Sequence, residues 1–269
     1  MELKIFDVEH GACALLSCDN GTRLMIDCGH NSSTTWRPGT YLREQGISRL
    51  DLLSVSNYDE DHVSGLPDLR NKVDVGGLWR NESVTPNILR ALKRENGMGP
   101  GIQELLRMTE TCTGGADAAP PTFSGVERQA FHLDYPEFDD TNNLSFVVHL
   151  KINGIGFLFP GDLETSGWNA LLARDGGFRA AVSDTKVLVA SHHGRENGIC
   201  EDVFSRYGCK PYWIVMSDKA CVHDTQETNA FYSSKAQGAS FRGEERKVLT
   251  TRNDGRLRFW FESGKWGAA

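Results

Sequence analysis

The stretch Ser54–Gly65, SVSNYDEDHVSG, crowds acidic and imidazole side chains onto one short turn. The apolar run LDLLSV leads into it, and such a run is typical of a buried strand. Like charges at this spacing repel one another unless a cation lies between them. The stretch therefore predicts a metal site that contains Asp59, Asp61 and His62 at the end of a strand.

Other apolar runs end in the same kind of side chain. Taken alone, an aspartate after a strand is more often a turn or helix-capping residue than a ligand. If the strands lie side by side, however, their ends meet at one edge, and a mixed oxygen and nitrogen set there suits Zn²⁺ or Mn²⁺. The runs and their ends are RLMID at Asp27, FLFPG at Asp162, VLVAS at His192 and His193, and WIVMS, which leads into a loop with His223.

The composition is that of an ordinary globular protein, with 39% hydrophobic and 24% charged residues in 269. The seven cysteines are scattered without a C-x-x-C pair, which argues against a disulfide framework or a zinc ribbon. Apolar runs are too short for a membrane span, and the N-terminus lacks a signal-peptide pattern, so we expect a cytoplasmic protein without membrane contact. A net charge of −7 argues against nucleic-acid binding by overall charge alone.

The pattern along the chain alternates strands and helices in both halves. Two short helices are expected on either side of the breaker run GMGPG, followed by a surface loop over residues 109–126. The chain is expected to close with a β-hairpin, RKVLTTRNDGRLRFWFE, with Asn-Asp-Gly at its turn. This order fits a four-layer αββα sandwich as well as a doubly wound sheet, so the motifs have to decide.

The motifs, in their order, resemble the metallo-β-lactamase superfamily, and within it the hydrolase domain of ComEC-type DNA-uptake proteins and their soluble relatives. SNYDEDHVSGL resembles the H-x-D-x-D-H-x-x-G metal loop, and FLFPGDLE the strand before a bridging aspartate. KVLVASHHG and TTRNDGRLRF resemble the late histidine strand and the closing hairpin. The resemblance covers nearly the whole chain and implies an α/β fold, a metallo-β-lactamase-like αββα four-layer sandwich, as a single domain over residues 1–269.

The resemblance also implies roles for individual residues. Asp27 would support the metal loop from behind. Arg195 departs from the family, which usually has serine there, and its charge beside the histidine pair makes it a candidate for binding substrate phosphate. The implied catalytic residues are Asp61, His193 and His223, and His193 would be either a neighbouring ligand or a group that handles phosphate and protons. The implied metal ligands are Asn57, Asp59, Asp61, His62, Asp162 and His192.

Asn57 departs from the family pattern, because it occupies the first histidine position of the loop. In one interpretation, Asn57, Asp59 and Asp162 form an oxygen-rich pocket for a harder ion such as Mn²⁺, beside a second ion. In the other interpretation, only one ion binds tightly. His10 is a further departure, at a position where the family usually has glutamine.

The function expected from these residues is that of a metal-dependent hydrolase with one or two Zn²⁺ or Mn²⁺ ions. A phosphodiesterase or nuclease that acts on nucleic acid or nucleotides is favoured, since metal-activated water suits that reaction. Hydrolysis of a small ester, lactone or thioester is the enzymatic alternative. A metal-impaired binding or regulatory module is the alternative from another class, with partners encoded in the same operon that one sequence cannot name.

Overall fold

A computed structural model of the chain describes residues 1–95, 97–111, 121–217, 227–262 and 264–269. Two large β-sheets dominate the described residues, with a small two-stranded ladder beside them. The strands, numbered in chain order, are β1 (Glu2–Ile5), β2 (Ala14–Ser17), β3 (Arg23–Ile26), β4 (Arg49–Leu50), β5 (Leu52–Ser54), β6 (Asp74–Val75), β7 (Leu78–Trp79), β8 (Val126–Phe131), β9 (Val147–Ile152), β10 (Ile155–Phe159), β11 (Thr185–Val189), β12 (Trp213–Met216), β13 (Ala239–Phe241), β14 (Glu244–Arg246), β15 (Val248–Thr250), β16 (Leu257–Glu262) and β17 (Lys265–Ala268).

The helices are short, and none in the described parts of the chain is both long and apolar enough to cross a membrane. Two 3₁₀ turns, Ser191–Gly194 and Glu196–Gly198, follow β11. The α-helices are α1 (Pro38–Glu44), α2 (Glu60–Val63), α3 (Leu66–Lys72), α4 (Pro86–Leu92), α5 (Pro100–Thr111), α6 (Thr165–Arg174), α7 (Gly176–Asp184), α8 (Glu201–Ser205), α9 (Asn229–Lys235) and α10 (Thr251–Asp254).

The two large sheets lie face to face. The first has the strand order β14-β13-β17-β16-β1-β2-β3-β5-β7, and the second has the order β15-β12-β11-β10-β9-β8. Side chains alternate along each strand, so one face of each sheet points inward. Inward residues of both sheets share one apolar cluster, which includes Leu3 and Leu24 from the first sheet and Phe157 and Val215 from the second.

The outward faces of the sheets are covered by helices. Met25 in β3 packs in one cluster with Leu42 of α1 and Leu105 of α5. Leu158 in β10 packs in another with Trp168 of α6. Three apolar layers therefore separate four structural layers in the order αββα, which confirms the predicted four-layer sandwich and excludes the doubly wound sheet.

Parallel pairing brings the metal-loop strands to one edge. β3 and β5 are parallel, with Ile26 opposite Ser54, and β10 and β11 are parallel, with Leu158 opposite Leu188. The carboxyl ends of parallel strands lie at the same edge, so the residues that follow these four strands are brought together.

The predicted closing hairpin is wrong. β15 pairs with β12 in the second sheet, whereas β16 pairs with β1 in the first. The Asn-Asp-Gly signature instead ends the helical turn α10, and Gly255 adopts the positive φ of 70° that follows many helices. Asp254 stabilises the connection by which the chain passes from β15 in the second sheet to β16 in the first. Its Oδ2 accepts the Thr250 N–H at 2.8 Å and lies 3.2 Å from Arg246 Nη2.

The predicted surface loop over residues 109–126 is shorter than expected at both ends. Helix α5 extends to Thr111, with the hydroxyl of Thr109 donating to the Leu106 carbonyl at 2.8 Å, and β8 begins at Val126. Thr109 is buried, so the last turn of the helix is held by packing. Residues 112–120 lie outside the described part of the chain.

Candidate metal centre

Four segments bring ligand-type side chains together at the shared edge. Asp27 follows β3, the loop with Asp61 and His62 follows β5, Asp162 follows β10, and His193 follows β11. Two of these strands belong to each sheet. The candidate centre therefore lies across the opening between the two sheets.

Ligand atoms of His62, Asp162 and His193 lie close enough together to share one ion, and Asp61 adjoins them through His193. His62 Nε2 lies 3.1 Å from Asp162 Oδ1, and His193 Nε2 lies 3.4 Å from the same oxygen. His193 Nε2 also lies 3.0 Å from Asp61 Oδ2. Tetrahedral Zn²⁺ with bonds of 2.0–2.2 Å places its ligand atoms roughly 3.4 Å apart. We call Asp61, His62, Asp162 and His193 the central cluster.

The hydrogen bonding of His193 supports a cation at this position. Its Nε2 atom is buried and has no hydrogen bond of correct geometry to the described residues, although two carboxylate oxygens lie within 3.4 Å. A buried polar atom without a hydrogen bond is unusual and points to an ion or a ligand. Two imidazole nitrogens and two carboxylates are a donor set that fits Zn²⁺ or Mn²⁺.

The charged groups of the cluster shift one another's pKa values. Burial raises the pKa of Asp162, but the adjacent His193 and His62 outweigh this and hold the pKa well below its usual value. Burial likewise raises the pKa of Asp61, and the same two histidines lower it to about 2. The carboxyl groups therefore stay ionised. In return, they overcome the effect of burial on His193 and raise its pKa to about 9.

Asp27 holds His62 from the side opposite to Asp162. Its Oδ2 atom lies 3.0 Å from His62 Nδ1, and its carboxylate accepts the N–H of Ser56 at 2.7 Å and the Ser56 hydroxyl at 2.5 Å. A carboxylate on one ring nitrogen fixes the ring orientation and leaves the other nitrogen for a metal. These contacts agree with the predicted supporting role of Asp27.

Gly11 lies in the connection between β1 and β2 and allows the metal loop to pack against that connection. A Cβ atom at this position would lie 2.1 Å from the carbonyl oxygen of Asp61, and one at Gly29 would lie 2.5 Å from the same atom. Only glycine permits such an approach. Sequence reasoning missed both glycines, although the run HGA after a strand end is a visible signal.

The histidine pair is arranged differently from the prediction. His193, and not the predicted ligand His192, reaches the central cluster. The Nε2 atom of His192 instead accepts a hydrogen bond from Arg195 Nη1 at 3.1 Å. Burial lowers the pKa of His192, and Arg195 lowers it further, which keeps this ring neutral. Positive φ angles of 50° and 59° at the two histidines turn their side chains to different sides.

Arg195 also contacts a histidine in the connection between β1 and β2. Its Nη2 atom lies 2.7 Å from His10 Nε2, and the guanidinium is half-buried. His10, Asp61 and His193 form a second group of ligand-type atoms within 4.8 Å of one another. Arg195, predicted to bind substrate, thus lies beside the central cluster. His223, predicted to be catalytic, lies outside the described residues.

The predicted ligands Asn57 and Asp59 lie apart from the central cluster. Asp59 belongs to neither group of candidate His, Cys, Asp and Glu ligands that the described residues form, and the amide of Asn57 is hydrogen-bonded within the protein. The carboxylate of Asp59 is paired with Lys93 Nζ, and its Oδ2 accepts the hydroxyl of Thr141 at 3.2 Å. The amide of Asn57 donates to the Ser145 hydroxyl at 3.3 Å. Sequence reasoning gave Lys93 no role at the metal loop, because no local pattern connects it with Asp59.

Comparisons with known proteins give matches in sequence and in structure, although no family model matches the chain. Competence protein ComA of Neisseria gonorrhoeae is 25% identical over 262 residues, which are 97% of this chain and 32% of ComA. Ribonuclease Z of Lachnoclostridium phytofermentans is 35% identical over 74 residues, 27% of this chain and 22% of that enzyme. The chain thus spans about a third of the length of ComA.

Solved structures share the fold at low identity. A chain from Parabacteroides distasonis ATCC 8503, provisionally named a metal-dependent hydrolase, has a TM-score of 0.50, 12% identity and 92% coverage of both chains. The metallo-β-lactamase fold protein YhfI of Bacillus subtilis has a TM-score of 0.47 and 10% identity, with 92% of this chain and 95% of YhfI covered. The αββα layer order and the ligand cluster at its edge give the chain a metallo-β-lactamase-like fold, and in sequence the chain is similar to competence protein ComA.

Proposed function

We propose that the chain is a metal-dependent hydrolase whose substrates are the phosphodiesters of nucleic acid or nucleotides. The observation that carries this proposal is the central cluster, in which His62 and His193 face Asp162, Asp61 faces His193, and His193 Nε2 has no proper hydrogen bond. A bound divalent ion would lower the pKa of a water molecule and polarise the bond to be cut. We propose Zn²⁺ or Mn²⁺ for this position.

The residues of the cluster have separate tasks in this proposal. His62, Asp162 and His193 hold the ion, and Asp27 fixes the ring of His62 through its Nδ1 atom. Asp61 is the carboxylate of the cluster that reaches solvent, with 32% of its side chain exposed against 4% for Asp162. Asp61 would therefore be the carboxylate that accepts the proton of the attacking water, next to the ion that His62, Asp162 and His193 would hold.

Water has room beside the cluster. A cavity of about 50 Å³ is bordered by His62, Asp162 and His193 at its polar end and by apolar side chains of both sheets elsewhere. One water molecule needs roughly 10–15 Å³ of such space. The apolar walls, among them Phe159 and Val215, keep this end of the site away from bulk solvent.

A phosphodiester substrate is favoured by two observations. The guanidinium of Arg195 lies at the rim of the cluster, and its planar fork matches the oxygens of a phosphate. Ribonuclease Z, an RNA-cleaving enzyme by its name, shares a stretch of 74 residues with this chain at 35% identity. The acidic net charge of −7 means that local groups such as Arg195, and not the overall charge, would attract the phosphate.

The test is hydrolysis of bis-p-nitrophenyl phosphate, single-stranded DNA and RNA by the purified chain with added Mn²⁺ or Zn²⁺. Asp162→Ala should lower kcat/KM at least about 100-fold, because it removes an ion ligand. Substitution of residues that only support the ligands of a metal site already lowers metal affinity or activity by about 10- to 100-fold. Asp184→Ala is the matched control, since Asp184 pairs with Lys151 at 3.1 Å outside the cluster and should leave the rate unchanged.

Other outcomes assign the chain to the alternatives. Turnover of a lactone or thioester with all phosphodiesters intact would replace the proposed substrate but keep the hydrolase. A chain that binds no divalent ion and hydrolyses none of these compounds would be a binding module that retains the fold. Equal loss of activity in both aspartate variants would contradict the assignment of Asp162.

A further inference from the structure

We propose that the ammonium group of Lys93 takes the place of a second metal ion beside Asn57 and Asp59, so that the centre binds one ion. The inference rests on the metal centre of the proposed function and concerns the part of the loop that precedes Asp61. In the resembling family, this part of the loop supplies ligands of the first ion. Here its side chains are directed to protein partners instead.

The first step concerns the charge of Asp59. Lys93 follows helix α4, its side chain is only 7% exposed, and its Nζ atom pairs with Asp59 Oδ1. A buried ammonium needs a counter-charge, because its own desolvation is costly. The other carboxylate oxygen of Asp59 accepts the Thr141 hydroxyl at 3.2 Å. Both oxygens that would bind an ion are therefore engaged by the protein.

The second step concerns the amide of Asn57. Its oxygen accepts the N–H of Asp59 at 2.8 Å, and its nitrogen donates to the Thr141 carbonyl at 3.2 Å and to the Ser145 hydroxyl at 3.3 Å. Asn57 is fully buried, so it cannot exchange these partners for water. A neutral amide in this state is a structural residue, because its oxygen and its nitrogen both serve protein hydrogen bonds.

The third step compares this arrangement with the central cluster. There, His193 Nε2 lies among carboxylate oxygens without a proper hydrogen bond, which favours an ion. Beside Asn57 and Asp59, an internal cation already neutralises the carboxylate. An incoming ion would meet the repulsion of the ammonium and would have to compete with the two partners that already occupy the Asp59 oxygens. The donor set at this position does not fit a second metal ion.

The decisive measurement is the number of ions per chain, by native mass spectrometry after loading with excess Zn²⁺ or Mn²⁺ and dialysis. We expect one ion in the natural chain and one ion in Asp59→Asn, whereas Asp162→Ala should lose it. Two ions in the natural chain, or loss of an ion in Asp59→Asn, would overturn this inference and leave the proposed function standing. A natural chain with no ion would overturn the proposed function and this inference with it.

A second measurement tests the pairing itself without metal. In EDTA, Asp59→Asn should lower the melting temperature by about 4 °C or more, because it leaves a buried ammonium unpaired. Adding Lys93→Met to the same chain should restore most of this loss. Strictly additive effects of the two substitutions would contradict the pairing. The control is the more exposed pair Glu137 and Arg174, with side chains 55% and 49% exposed, for which Glu137→Gln and Arg174→Met should change the melting temperature by less than about 2 °C.

Discussion

The loop after β5 has two halves with the same kind of side chain and opposite surroundings. In the half with Asp61 and His62, these side chains face ligand atoms of Asp162 and His193 from two other segments. In the half with Asn57 and Asp59, each side chain is paired with a protein partner. The alternating acidic pattern is therefore not enough to count metal ions, because the residues opposite the loop decide which carboxylates need a cation.

The largest expected effect separates the two neighbouring histidines. His193→Ala should lower the affinity for Mn²⁺ or Zn²⁺ and the kcat/KM for bis-p-nitrophenyl phosphate at least about 100-fold, because it removes a ring nitrogen that faces Asp61 and Asp162. His192→Ala should lower the metal affinity less than about 10-fold, since its Nε2 is bonded to Arg195. Isothermal titration with the metal alone measures both affinities.

The pair of variants also tests the arrangement of the turn after β11. The sequence-based interpretation made His192 the ligand, and the structure brings His193 to the cluster. A larger loss of metal affinity in His192→Ala than in His193→Ala would reinstate that interpretation. Equal losses would mean that both rings hold ions, which the bond between Arg195 and His192 opposes.

Much of the fold could be predicted from the sequence, because it depends on local periodicity and on motif order. The apolar runs around Leu53, Leu158 and Leu188 are strands as expected, and their ends deliver the ligand-type side chains. The closing hairpin was mispredicted because Asn-Asp-Gly suits a tight hairpin and a helix end equally well. Only pairing with distant strands distinguishes the two, and pairing is not a local property.

The sequence predicts which strand ends carry site residues, at Asp27, Asp162 and His193 as well as in the loop, but not which distant side chains pair with one another. The crowding of acidic and imidazole side chains in the loop predicts that Asp61 and His62 belong to the site. The partnership of Lys93 with Asp59 spans 34 positions and depends on where helix α4 ends, so no spacing rule reveals it. The choice between His192 and His193 depends on two positive φ angles in the turn, which a sequence of two identical residues cannot indicate.

The next effect concerns the support behind the loop. Asp27→Asn should lower metal affinity about 10- to 100-fold, because an amide cannot hold the His62 Nδ1 proton and both Ser56 donors as a carboxylate does. Asp51→Asn is the matched control. Asp51 lies at the other end of the same strand pair, where it accepts the Arg23 N–H at 2.9 Å, and it has no contact with the cluster.

Metal titration of both aspartate variants at equal pH provides the comparison. We expect the metal affinity of Asp51→Asn to match that of the natural chain. If Asp27→Asn also matches it, His62 is oriented by its packing and not by the carboxylate behind it. That result would leave the central cluster intact but remove Asp27 from the site.

The smallest expected effect concerns Ser145, which hydrogen-bonds to Asn57 in one half of the loop and to Asp162, the carboxylate that faces the other half. Its buried hydroxyl accepts the N–H of Asp162 at 3.0 Å and the amide of Asn57 at 3.3 Å. Ser145→Ala leaves both donors without this acceptor, which should lower the free energy of unfolding in EDTA by about 1 to 3 kcal/mol. Ser54→Ala is the control, because the buried Ser54 hydroxyl has no hydrogen-bond partner in the described residues and its loss should cost less than about 0.5 kcal/mol.

Metal affinity then shows which half depends on Ser145. Since the hydroxyl holds the backbone and not the carboxylate of Asp162, Ser145→Ala should weaken metal binding only a few-fold while it lowers stability. Urea unfolding in EDTA and metal titration of the same sample measure the two effects separately. A loss of metal affinity as large as that of His193→Ala would mean that the paired half positions the ion, and the two halves of the loop would then have to be treated as one site.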